Sequence, residues 1–144
     1  MTADIYIVSS ITGLHRCNGI VGVVIEPEGA EARAIFGVVT DVTANQSVLL
    51  GIKFALSRIN PECDAVIHTD CQYVASVYEN GWLRDWIKHN WHNSKGKEVA
   101  NRSEWQQISE LLGSRTPRFI VGEDHSYKSW LESEVQKRAK AHKD

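Results

Sequence analysis

The chain is poor in cysteine, with only Cys17, Cys63 and Cys71. The odd count, with no metal-ligand spacing, argues against a disulfide framework or a zinc site and for free thiols in a reducing compartment. No apolar run approaches membrane-spanning length, and the N-terminus lacks the charged start and apolar stretch of a signal peptide, so a cytoplasmic location is expected. An excess of either charge is also lacking: 16 Lys and Arg stand against 18 Asp and Glu, for a net charge of −2. Any contact with nucleic acid must therefore come from a local basic patch. Internal repeats and low-complexity linkers are absent. What is present is ordinary for a globular protein: 144 residues, 42% hydrophobic and 24% charged. One domain over residues 1–144, with a substantial core, is the expectation.

The β-branched and aromatic stretch DIYIVSS (4–10) predicts a strand, TGLHRCNG (12–19) a loop, and IVGVVIE (20–26) and EARAIFGVV (31–39) two more strands around a PEG turn. An antiparallel meander over 4–39 follows. After Thr43, a candidate cap, Val48, Leu49, Ile52, Ala55, Leu56 and Ile59 recur at helical spacing until Asn60-Pro61. DAVIHT (64–69) reads as a strand and 71–79 as a helix broken by Asn80-Gly81. A short helix from Trp82, a polar Lys-containing loop, a helix from Asn101 to Gly113, a strand at 117–123 and a helix at 127–143 complete the chain. The order βββαβααβα predicts an α/β fold: a five-stranded mixed sheet with helices on both faces.

Asp70 stands out chemically, because a carboxylate where a strand ends and a helix begins is a frequent seat for a metal or catalytic group. A helix N-cap is its plainer role. His68, two residues earlier, is expected to share a strand face with Asp70 and to pair with it.

TDCQYVASV, then GWLRDWIKHNW, then NRSEWQQISELL, together resemble the type 1 ribonuclease H family, and the resemblance extends over nearly the whole chain. It implies a clamp on an RNA:DNA hybrid. The family's hydrolysis uses two Mg²⁺ ions about 4 Å apart, and such hard cations need several carboxylate oxygens. Of the family's four acidic positions, only Asp70 is retained by this correspondence. Val8 stands at the first-strand position, Val48 at the helix position and Ser133, between Glu132 and Glu134, at the fourth. Glu123 occupies the place of a mobile histidine, with His125 two residues on.

The resemblance keeps more of the substrate-holding surface. Thr43, Asn45, Gln72 and Asn101 match groups that contact the hybrid. Trp82, Trp86 and Trp91 match the aromatic cluster of a basic protrusion over 82–100, where Arg84, Lys88, Lys95 and Lys97 supply charge, joined by Arg102. These residue types suit phosphate and 2′-OH contacts. The expectation is a pseudoenzyme that binds RNA:DNA hybrid or duplex with no metal and no cofactor. One alternative is a rebuilt Mg²⁺- or Mn²⁺-dependent hybrid nuclease using Asp70 with Asp41, Glu123, Asp124 or Glu132. Another is a protein-interaction module that mimics or regulates a ribonuclease H or a replication component.

Overall fold

The structure, a computed structural model, describes residues 1–142. Its elements are β1 (Thr2–Ser9), β2 (Cys17–Pro27), β3 (Arg33–Val42), α1 (Ala44–Leu56), β4 (Asp64–Thr69), α2 (Gln72–Glu79), α3 (Trp82–Lys88), α4 (Arg102–Leu112), β5 (Arg118–Val121) and α5 (Lys128–Ala141). They form one mixed sheet of order β3-β2-β1-β4-β5, in which the meander β1–β3 is antiparallel and β4 and β5 run parallel to β1. The predicted architecture is thus observed.

Strand β1 is central and apolar on both sides, as a strand covered on both faces must be. Ile5 and Ile7 join Val21, Val23, Ile25 and Ile67 beneath the apolar stripe of α1, while Tyr6 and Val24 pack with Leu131 of α5 on the opposite face. Glycine allows close approach on each side. A Cβ on Gly51 of α1 would lie 2.8 Å from Val21, and one on Gly22 of β2 would lie 2.8 Å from Val135 of α5. α4 packs on α1 and buries Trp105, Ile108 and Leu112, which completes the larger core.

Several boundaries differ from the sequence reading. β2 begins at Cys17, inside the expected loop, because Asn18 accepts a hydrogen bond from the Asp41 amide (2.9 Å) and Arg16 pairs with Asp41 (3.2 Å). These cross-links carry β3 on to Val42, past the predicted end at Val39, through Asp41 at φ 52° and a register shift at Cys17/Gly19. α1 stops at Leu56, short of Ile59, and β5 is shorter than 117–123. The predicted end of the last helix at Lys143 lies outside the described residues.

Candidate functional site

Parallel pairing sets Tyr6 of β1 opposite His68 of β4. Two residues further along each strand direction come Val8 and Asp70, which therefore meet at the C-terminal end of these two inner strands. There they line a cleft of about 480 Å³ with the N-terminal part of α1 and the middle of α5. Helix α1 contributes Ala44, Asn45 and Val48, spaced to share one helix face, and α5 contributes Glu132, Val135 and Gln136 by the same rule. Val48 is buried, at 8% exposure, and Val8 is half-buried. Asn45 Oδ1 accepts a hydrogen bond from the Cys71 thiol (3.3 Å), which ties the starts of α1 and α2 together. Burial raises the pKa of that thiol.

Ser133 is exposed and absent from the cleft wall; Glu132 faces the cleft instead. Leu131 and Val135, both fully buried against the sheet, fix the rotation of α5 and so put the residue after Leu131 on the cleft side. Asp70 and Glu132 are the carboxylates lining the cleft. Asp41 is engaged with Arg16, and neither it nor Glu123 nor Asp124 reaches the wall. Among the described residues, no three His, Cys, Asp or Glu side chains are grouped so as to hold a metal ion.

Two expectations for Asp70 are corrected. It does not cap α2, whose N-cap is Cys71 with no side-chain cap bond; Thr69 Oγ1 receives the Cys71 amide (3.1 Å). Nor does it pair with His68, whose Nε2 lies 2.9 Å from Asp4 Oδ1 on the neighbouring strand. Asp70 instead accepts from Lys128 Nζ of α5 (3.4 Å), a residue the sequence reading did not single out.

His68 belongs to an aromatic and acidic cluster under α5. Tyr6 stacks on His68 (4.2 Å between ring centroids) and packs against His125 (4.5 Å) and Tyr127 (5.0 Å). The Tyr127 hydroxyl donates to Glu26 at 2.6 Å. Burial, with the neighbouring His68 and Lys128, holds His125 below its usual pKa. Burial first, then Asp4 and Glu26, push the Tyr6 phenol up to about 12. A phenol with a raised folded-state pKa stabilises the fold fully below its unfolded value of about 10, and that contribution is lost as the pH rises through about 12. Stability measured by denaturant titration is therefore expected to fall across this alkaline window. The fall should be shallower in Tyr6→Phe, and an unchanged slope would show that Tyr6 does not carry it.

The remaining candidates fall into two groups. Thr43 caps α1, its Oγ1 accepting from the Gln46 amide (3.1 Å). Exposed Asn45 lines the cleft, whereas Gln72, also exposed, lies outside its wall and donates through its amide nitrogen to Ser76 (3.1 Å). The 82–100 segment forms the second group. It is built from α3 and a turn in which Asn93 Oδ1 accepts from the Lys95 (2.9 Å) and Lys97 (3.1 Å) amides, closed by a bridge between His92 and Glu98. Trp86 packs edge-on to Trp105 (6.1 Å between ring centroids). Trp91 is buried at φ 63°, and its indole N–H lies 3.2 Å from the Gln106 amide oxygen once that amide is oriented by its partners. Trp82 remains exposed. Arg84, Lys88, Lys95 and Lys97 are exposed and form no ion pair among the described residues, while Arg102 pairs with Glu98 (3.7 Å). Asn101 sits at φ 61° before α4, and its carbonyl accepts from the Trp105 amide (3.0 Å).

The fold and cleft define a class first. LC9-RNase H1, described as a type 1 RNase H with the type 2 active-site motif, superposes with a TM-score of 0.74 at 20% identity, over 97% of this chain and 72% of that one. A foamy viral protease-reverse transcriptase in complex with dsDNA superposes at 0.70 and 22% identity, over 96% and 90%. At these identities the likeness is one of fold.

Sequence then places the chain within that class. The RNase H family model matches residues 6–126. Ribonuclease H of Chlorobium luteolum (strain DSM 273 / BCRC 81028 / 2530) is 31% identical over 98 residues, 68% of this chain and 67% of that protein. Ribonuclease H of Nitratidesulfovibrio vulgaris (strain DSM 19637 / Miyazaki F) is 32% identical over 111 residues, 77% and 64% respectively. The chain belongs to the RNase H family. The aligned stretches cover about two thirds of these relatives' own length.

Proposed function

We propose that this RNase H family member grips nucleic acid, an RNA:DNA hybrid or a duplex, without cleaving it by a two-metal route. The observation that carries this reading is the presence of Val8 and Val48 in the cleft wall beside Asp70. Magnesium is a hard cation that takes oxygen ligands and usually binds through carboxylates and phosphates. Two aliphatic side chains offer no donor and displace the water such an ion keeps. Asp70 and Glu132 alone are a poor match to the charge of two divalent ions, and Asp70 already holds the Lys128 ammonium.

The grip is supported differently. The relatives are named ribonuclease H, and a foamy viral protease-reverse transcriptase was solved in complex with RNA/DNA hybrid. The chain's net charge is −2, yet Arg84, Lys88, Lys95 and Lys97 gather on one protrusion cations with no ion pair among the described residues. Phosphates are held by such local charge, and counterion release makes the binding salt-dependent.

Fluorescence anisotropy with labelled hybrid, duplex RNA and duplex DNA tests both halves. Retention should weaken steeply as salt rises. Reversing Arg84, Lys88, Lys95 and Lys97 to Glu should lower the slope of log K against log salt by about 0.9 for each phosphate contact removed. No labelled fragment should appear with Mg²⁺ or Mn²⁺. Absence of binding to all three duplexes at low salt would end the reading.

Glu132 favours a second reading, since it shares the cleft wall with Asp70: a metal-dependent hybrid nuclease rebuilt on these two carboxylates. Cleavage of hybrid that disappears in Asp70→Asn would establish it in place of the first.

A further inference from the structure

Lys128 is the first residue of α5, the end of a helix where the dipole is positive and cations are disfavoured. No acidic residue in that first turn offsets it. The side chain is nonetheless half-buried, with its ammonium 3.4 Å from Asp70 Oδ1 and 3.6 Å from Asp124 Oδ1. Burial alone would lower its pKa, but Asp70, Asp124 and Glu132 outweigh that and hold it above the ordinary lysine value. A cation placed against its own helix dipole is held there by Asp70 of the cleft and by Asp124.

We propose that the Lys128 ammonium is a tethered counter-cation at Asp70, balancing the cleft's negative charge in place of a divalent ion and keeping such ions away from that carboxylate. The inference rests on the reading of the cleft as one without a two-metal site, and extends it from missing donors to an active replacement. An ammonium brings one positive charge and three N–H donors on a covalent leash. A divalent ion reaching the same Asp70 oxygen would have to displace it or sit beside a fixed like charge.

Paramagnetic broadening of backbone amides by Mn²⁺ tests this on the full chain without nucleic acid. In the wild type, the amides of residues 69–71 should be insensitive to Mn²⁺. Lys128→Met should raise Mn²⁺ affinity at these amides by about tenfold or more, the order expected when a fixed charge beside a divalent ion is removed. Lys128→Arg, which keeps the charge, should behave like the wild type. Adding Asp70→Asn to Lys128→Met should abolish the new binding. If the methionine variant does not fold, Lys128→Gln carries the same comparison. Equal Mn²⁺ affinity in the wild type and the uncharged variant would overturn the proposal. Hybrid retention and cleavage are read separately, so that failure would leave the grip untouched, and loss of the grip would leave this comparison standing.

Discussion

Trp105→Ala should lower the free energy of unfolding by about 3–5 kcal/mol, the range for truncating a large aromatic core residue. Trp105 is fully buried in α4, and its indole N–H donates to the Tyr73 hydroxyl at 3.0 Å. Tyr73, Tyr78 and Trp86 surround it, with ring centroids 5.8–6.1 Å away. Truncation therefore opens a cavity and strips the Tyr73 hydroxyl of its donor. Trp105→Phe separates the two effects: it keeps much of the ring packing and loses the hydrogen bond, for a cost of about 1–2 kcal/mol. Equilibrium denaturation measures both. Because Trp86 roots the protrusion on this ring, Trp105→Ala should also weaken nucleic-acid retention under conditions where the variant remains folded. A stability loss below about 1 kcal/mol would mean that the four-ring cluster collapses to fill the void.

The same residues show where the sequence was readable. Apolar periodicity announced α1 through Val48, Leu49, Ile52, Ala55 and Leu56, all of which it buries along with Ser47 and Gly51, while Ile59 falls beyond its end. The element order was legible because short β-branched stretches such as IYIV and AVI are set off by turn residues from segments of helical spacing. Local patterns failed where a tertiary partner decides. Cys17-Asn18-Gly19 has turn composition but is strand, because Asn18 and Arg16 are held by Asp41, more than twenty residues away. His68 was expected beside Asp70 from strand alternation alone. The neighbouring strand offered Asp4 to it first, a partner that alternation within one strand cannot reveal. The rotation of α5 was decidable from Leu131 and Val135, whose i,i+4 stripe places Glu132 at the cleft. Motif matching read that helix in a different register and chose Ser133. Lys128 carried a weak signal of its own, a lysine at the positive end of a helix whose first turn holds no acid. Its meaning came only when the fold brought Asp70 to it.

Installing acids at the aliphatic positions should turn the cleft into a metal-responsive one. Val48 is buried and Val8 half-buried, so Val8→Asp/Val48→Glu places two carboxylates in an apolar wall near Asp70 and Glu132. Without metal, desolvation and mutual repulsion raise their folded-state pKa values. Stability should then fall as the pH rises through those raised values, and at neutral pH the double variant should be less stable than the wild type by about 2–5 kcal/mol. Mn²⁺ or Mg²⁺ binding the folded state alone should return part of this loss, about 2.7 kcal/mol at a hundred times Kd. The wild type, whose Asp70 is occupied by Lys128, should show no such gain. Adding Lys128→Met should enlarge the metal response, since the tethered charge and the ion compete for one carboxylate. Thermal unfolding with and without Mn²⁺ reads all three proteins on one scale. If the wild type were stabilised as much as the double variant, Val8 and Val48 would not be what separates this cleft from a metal-binding one.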